Sequence, residues 1–193
     1  MLIEASKIAW LCGAVGWYFI RLPHQRRSGK TPISVSARTR NEIVALVLSG
    51  SGLGLVPALY VFTPWLSFAN HDHNWFLFAL GIVLFGAALV LFRLTHKALG
   101  RNWSVSLDLR EKHELITEGI YKSIRHPMYS AFWLWAIAQA FLLPNWIAGL
   151  SGLVCFGILY FQRIGNEERL MEQEFGQSYR DYSKRTGRIF PKL

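Results

Sequence analysis

The residues able to do chemistry gather in two stretches of this chain. The first includes HELITEGIYKSIRHPMY, residues 113 to 129. Between Glu111 and Tyr121 it is polar, with isolated apolar residues at Leu115, Ile116 and Ile120, which suits a short extended or irregular piece on a surface. Gly119 punctuates it, and residues 120 to 124 suit a helical turn. Pro127 then stands where a helix accepts proline, at its first position, with His126 before it. Free backbone N–H groups at such a helix start can hold an anion such as a carboxylate; the plain alternative is that RHP only starts a helix. The second stretch, residues 163 to 193, opens with Arg163 and Glu167, four apart and so on one helical face. A guanidinium and a carboxylate held together can grip a zwitterion or two oppositely charged ligands, a simple salt bridge being the alternative.

The elements that must position these groups follow from hydropathy. The chain is 52% apolar and 17% charged, with 8 Trp, 7 Tyr and 13 Phe, which excludes an ordinary soluble domain and intrinsic disorder alike. Residues 43 to 66, 75 to 92 and 128 to 162 carry no charge. At about 1.5 Å per residue the last run would make a helix of roughly 52 Å, too long for one crossing of a hydrocarbon core about 30 Å thick. It must fold back, and Pro144-Asn145 is the turn, because proline disfavours a helical residue before it and Asn caps the helix that follows. The first apolar run, residues 8 to 20, reads as a retained anchor rather than a signal peptide: no small-residue cleavage site follows it, and the basic segment beyond would resist translocation. The expected fold is an all-α integral membrane protein, one domain over residues 1 to 193. Its five spans are about 3–21, 43–66, 75–96, 127–143 and 145–162. A cytosolic tail, 163–193, forms an amphipathic helix on which Leu170 or Met171, Phe175, Tyr179 and Tyr182 recur at helical spacing.

The net charge of +9 fits the same layout. Of the 21 Lys and Arg, only Lys7 lies outside the segments after the first, third and last apolar runs, the positive-inside pattern of five spans with the N-terminus outside and the C-terminus in the cytosol. The basicity is thus a topology signal, not a nucleic-acid footprint. Cys12 and Cys155 sit inside apolar runs as small hydrophobes, so no disulfide framework or cysteine metal site is expected. His71, Asp72 and His73, adjacent on one short loop, converge poorly on one ion, and no metal is expected. Gly50, Gly52, Gly54, Gly149 and Gly152 are expected to permit close helix packing.

GIYKSIRHPMY, a hairpin turning at LPNW, the spacing of Arg163, Glu167 and Glu168, and FGQSYRDYSKRTGRIFP together resemble the isoprenylcysteine carboxyl methyltransferase family in its short prokaryotic form, over roughly residues 93 to 193. The resemblance implies an S-adenosylmethionine-dependent methyltransferase. Its cofactor pocket, formed by the cytosolic loop and the C-terminal helix, opens to the cytosol, while a lipidic substrate enters from the bilayer. Carried over position by position, the cofactor contacts fall on His113, Glu114, Leu115, Ile116, Tyr121, His126, Pro127, Met128, Tyr129 and Glu167, and Arg163 matches an arginine implicated in substrate binding. Arg163 and Glu167 are then the catalytic pair. The acceptor the family name implies is the carboxylate of a prenylcysteine-like molecule, already ionised at neutral pH and needing no general base. Related phospholipid amine and thiol methyltransferases share RHPxY with an acidic and basic tail, and an amine acceptor would need His126 or Glu167 as base. From other classes, a membrane reductase relative and a non-enzymatic membrane interaction protein remain alternatives; no GxGxxG fingerprint is present.

Overall fold

The computed structural model describes residues 1–28, 33–36, 39–100, 108–110 and 115–192. Helix α1 spans Leu2–Ser28 and a short strand β1 Ile33–Ser36. Helix α2 (Arg40–Gly50), a π-helical stretch (Ser51–Leu55) and α3 (Val56–Phe62) make one rod. Then come α4 (Trp75–Leu99), β2 (Asp108–Arg110), a 3₁₀ turn (Gly119–Lys122), α5 (Pro127–Leu142), α6 (Trp146–Phe175) and α7 (Gln177–Arg185). The expected all-α character holds, except that β1 and β2 pair antiparallel.

Among the described residues, three helical segments are long and apolar enough to cross a membrane: Arg40–Phe62, Trp75–Leu99 and Trp146–Phe175. Helix α5 has 16 residues, roughly 24 Å, and it sits at the centre, packed against α4, α6 and α1. Its small side chains Ala136 and Ala138 are fully enclosed, and Trp135 meets Phe85 and Trp17 ring to ring. Trp65, Phe68, Trp75, Phe76 and Trp146 stand exposed at the end where the residue 63–74 loop meets the α5–α6 turn, like the aromatic belt of a membrane interface.

The helix starts are written locally. Thr39 Oγ1 accepts from the Glu42 N–H at 3.2 Å, and Asn74 Oδ1 from Leu77 at 2.9 Å. Asn145, at the expected turn, caps α6 by accepting from the N–H groups of Ile147 and Ala148, and its amide donates to the Leu66 carbonyl and Asn70 Oδ1. The two turns at this end are thereby latched together.

The π stretch has a sequence cause. Pro57 has no N–H, and in a regular helix its ring would strike the carbonyl four residues back, so the turn widens ahead of it. At π spacing its missing N–H leaves the Gly52 carbonyl unclaimed. Gln139 Nε2 of α5 donates to that oxygen at 3.0 Å and Ser151 Oγ of α6 at 2.7 Å. Gln139 is wholly buried, donates also to the Ala148 carbonyl at 2.8 Å and receives Trp10 Nε1 at 3.4 Å. Four helical segments therefore meet at one amide. Gly52 makes the approach possible, since a Cβ there would lie 2.5 Å from Cys155 Cβ.

Several boundaries differ from expectation. Helix α1 does not stop near residue 21 but continues through Pro23 to Ser28; the proline removes one hydrogen bond, and the residues after it are good helix formers. The second rod starts at Arg40 and ends at Phe62 rather than 66. Gly149 and Gly152 are closely packed as expected, but Gly50 and Gly54 face open space. His71 packs on the Trp146 ring at 4.5 Å, and among the described residues no three His, Cys, Asp or Glu side chains are grouped to hold a metal.

Candidate active site

The largest departure from the sequence reading creates the site. The residues after 162 do not form a separate surface helix: α6 runs unbroken to Phe175, because nothing from Arg163 onward stops it before Gly176. Gly176 takes φ +53, a left-handed value that favours glycine, and the chain turns into α7. The apolar face read as one amphipathic helix is thus divided between α6 and α7. Tyr179 and Tyr182 are buried, and Tyr182 Oη donates to the Tyr121 carbonyl at 2.7 Å. After α7 the chain lies alongside residues 123 to 126 as a parallel strap. Gly187 N–H donates to the Ser123 carbonyl at 3.1 Å, Arg125 N–H to Gly187 at 2.9 Å and His126 N–H to Arg188 at 2.9 Å. Ser130 Oγ donates to the Ile189 carbonyl at 2.6 Å.

Pro127 is the first residue of α5 and His126 precedes it, as the sequence implied. The His126 ring, enclosed in the protein, faces two carboxylates: Nδ1 lies 3.8 Å from Glu167 Oε1 and Nε2 3.3 Å from Glu168 Oε1. Tyr129 Oη, one turn into α5, donates to Glu167 Oε2 at 2.5 Å. Arg163 Nε is 3.5 Å from the same oxygen, and Nη1 is 3.5 Å from Glu42 Oε1 on the first turn of α2. Tyr121 is buried beside this cluster; burial pushes its phenol well above the ordinary range, and the Glu167 charge adds to the effect. Tyr121, His126, Tyr129, Arg163 and Glu167 are thus brought together. Met128 is half-buried behind Pro127, while Leu115 and Ile116 lie half-buried upstream of the 3₁₀ turn and contribute no polar group. His113 and Glu114 lie outside the described residues.

The anion-holding capacity expected of the α5 start is smaller than the sequence suggests. Pro127 has no N–H, and the N–H groups of Tyr129 and Ser130 return to the His126 carbonyl at 3.0 and 3.3 Å. Met128 N–H is the one of the first three not committed in this way.

The sequence reading missed Glu42 and the second charge cluster. Glu168 accepts from Arg125 Nε at 2.8 Å and from Arg188 Nε at 3.0 Å, with Arg188 Nη2 closing on its other oxygen. Arg125 also donates to the Thr186 carbonyl at 2.6 Å. The sequence reading does not single out Glu42 and takes Arg188 as one more topology charge; the contact of Glu42 with Arg163 and of Arg188 with Glu168 joins residues far apart along the chain.

The isoprenylcysteine carboxyl methyltransferase family model matches residues 79–173. Protein-S-isoprenylcysteine O-methyltransferase B of Arabidopsis thaliana is 28% identical over 159 residues, covering 81% of this chain and 78% of the relative. The protein-S-isoprenylcysteine O-methyltransferase of Schizosaccharomyces pombe is 32% identical over 60% of this chain and 49% of its own length. That of Rattus norvegicus is 27% identical across 100% of this chain and 70% of its own. The matched stretch carries RHPMY, Arg163 and Glu167 in the arrangement just described, and the chain belongs to the isoprenylcysteine carboxyl methyltransferase family.

Proposed function

We propose that this protein is an S-adenosylmethionine-dependent methyltransferase that esterifies the carboxylate of a prenylcysteine-like lipid reaching the site from the bilayer. The observation that carries the reading is the convergence of His126, Tyr129, Arg163 and Glu167 at one end of an apolar helix bundle. The donor set suits the cofactor. Glu167 is 28% exposed at its side chain, which leaves lone pairs for an ammonium or ribose hydroxyls, and Met128 N–H at the α5 start suits its carboxylate. Tyr121 stands on that side of the site, and the family resemblance adds His113, Glu114, Leu115 and Ile116 as cofactor contacts. Bound S-adenosylmethionine supplies a methyl group on a sulfonium, open to in-line attack.

The protein's own residues then have three tasks. Arg163 orients the acceptor carboxylate, its planar fork being suited to two parallel hydrogen bonds. Tyr129, donating to Glu167 Oε2, fixes that carboxylate beside Arg163 with its other oxygen facing the His126 ring. The rings of Phe156 and Tyr160, 6.2 and 5.5 Å from Tyr129 centroid to centroid, exclude water from the same end. A hydrated carboxylate is a poor nucleophile, so dry alignment supplies much of the rate. The five-span layout, N-terminus outside and C-terminus in the cytosol, is part of the proposal. The aromatic collar at one end and the basic segments at the other support it.

One observation favours a second reading. Arg163 stands between two carboxylates, Glu42 and Glu167, and the surplus negative charge suits a phospholipid amine. A methyl-transfer assay with labelled cofactor across prenylcysteine, phospholipid-amine and small-thiol acceptors decides: turnover of prenylcysteine acids supports the proposal, and turnover of phospholipid amines alone replaces it with the rival.

A further inference from the structure

Beyond the apolar layer, α6 and α7 enclose a polar groove of about 300 Å³. Arg125, Glu168, Arg169, Glu172, Tyr179 and Arg180 line it, and none of them is a residue that the family resemblance assigns to cofactor or acceptor. Three guanidiniums share the lining with two carboxylates, so the groove has surplus positive charge. Glu168 is already shared by Arg125 and Arg188, and Glu172 takes only Nε of Arg180, at 2.6 Å. Arg169 donates through Nη2 to Asn166, and Arg125 through Nε and Nη1 to Glu168, Ser183 and Thr186. Among the described residues, both Nη groups of Arg180, Nε and Nη1 of Arg169 and Nη2 of Arg125 are left without an acceptor. Tyr179, 5% exposed, adds an Oη with no hydrogen-bond partner among the described residues. Burial, with the Glu168 charge adding to it, raises this phenol above the ordinary range, so it stays a donor. The groups left over are all donors, and the ligand that answers them is an anion with several oxygens.

Depth narrows the source. Gln162 ends the uncharged run of α6, and the lining residues of that helix, 165 to 172, follow it by about 5–15 Å along the axis. The near end of the groove thus lies in the headgroup layer, which reaches roughly 5–8 Å beyond the hydrocarbon on each side. We infer that this groove is a binding site for the phosphate group of an anionic phospholipid. Basic pockets beside membrane helices suit such headgroups, and the surplus charge favours a net negative headgroup over a zwitterionic one. The inference is independent of which methyl acceptor the protein uses. Arg125 joins the groove to the candidate active site, because it holds Glu168, whose Oε1 lies 3.3 Å from His126 Nε2.

Unfolding midpoints of the protein in dodecyl maltoside, titrated with phosphatidylglycerol, phosphatidylcholine or inorganic phosphate, give an apparent affinity for each. Phosphatidylglycerol should bind about fivefold or more tightly than phosphatidylcholine. Arg169→Gln combined with Arg180→Gln should remove that preference. Tyr179→Phe should lower the affinity for phosphatidylglycerol about tenfold, yet leave the lipid-free midpoint unchanged or raised, since it deletes a buried hydroxyl that has no partner. Glu172→Gln, which frees Arg180 Nε, should raise the affinity; these two single variants carry the test where the double variant does not fold. Lys184→Gln removes an exposed charge outside the groove and should stay within about twofold of wild type. Equal affinity for the two lipids overturns the inference, as does a loss in Lys184→Gln equal to that in the double variant, or unchanged affinity in both Tyr179→Phe and Glu172→Gln. Stabilisation by inorganic phosphate with none by phosphatidylglycerol overturns the lipid assignment.

Discussion

Replacing Glu168 with Gln tests whether the strap and the RHP turn are held by one buried charge. Glu168 and Arg125 are 17% and 14% exposed at their side chains, whereas Arg188 is 47% exposed. Removing one partner of a buried pair costs about 3–5 kcal/mol, because the other charge stays buried, while an exposed pair contributes at most about 1 kcal/mol. Glu168→Gln keeps the volume and one carbonyl acceptor, and Arg125 retains the Thr186 and Ser183 carbonyls at 2.6 and 3.4 Å. The loss therefore falls below the full value, at about 2–3 kcal/mol. It should be local, since the strap is a small unit on a larger bundle. Hydrogen exchange in detergent reads it directly at the amides of Arg125, His126 and Gly187, which bond across the strap. Their opening should accelerate about 30- to 140-fold in Glu168→Gln and no more than about fivefold in Arg188→Gln. Equal acceleration in the two variants, or none in Glu168→Gln, refutes the assignment of Glu168 as the hub.

Gly187→Ala should release the strap as well, because a Cβ there would stand 1.7 Å from the Phe190 carbonyl oxygen, which is backbone and has no rotamer to yield; protease should cut after α7 in this variant and spare the wild type. Gln139→Leu should destabilise the bundle by about 1–2 kcal/mol, as the Gly52 carbonyl loses one of its two donors and the Ala148 carbonyl loses an interhelical one; unfolding in mixed micelles measures this, and a neutral result would deny the network a role. Burial pushes the Tyr182 phenol up to about 12, with Arg125 and Arg185 opposing. An unfolded tyrosine ionises near 10, so this contribution to α7 docking is complete below about pH 10 and is lost as pH rises toward 12. Tyr182→Phe should lack that part of the alkaline transition, followed by tyrosinate absorbance and exchange of the strap amides.

Legibility in the sequence divides along physical lines. Features that depend on a few neighbouring residues could be read directly: Pro127 as the first residue of α5, Asn145 as the cap that turns the long apolar run, and the shared face of Arg163 and Glu167. Each is a local consequence of backbone chemistry. The end of α6 was not legible, because hydropathy marks where a helix leaves the apolar layer, not where it stops being a helix. Charged residues such as Glu167, Glu168 and Arg169 are good helix formers, so the helix continued until Gly176. The π stretch was open to deduction from Pro57 inside an apolar run. Which groups would rescue the freed Gly52 carbonyl was not, since Gln139 and Ser151 lie far along the chain.

The same division explains the incomplete reading of the site. Residues 79–173 hold most of the candidate site, yet both of its charge clusters are also contacted from outside that stretch: Arg163 meets Glu42 of α2, and Glu168 meets Arg188 of the strap. A buried guanidinium or carboxylate is costly unless paired and hydrogen-bonded, so these partners add to the pairing that Glu167 and Arg125 already give Arg163 and Glu168. The strap supplies more than charge, because its Gly187 and Arg188 carbonyls take the N–H groups of Arg125 and His126, which no helix turn reaches. The orientation of the His126 ring toward Glu167 and Glu168 thus depends on residues some sixty positions further along the chain. A fragment limited to the matched stretch would retain each residue named from RHPMY to Glu168 and lose the contacts from α2 and the strap that help to fix their directions.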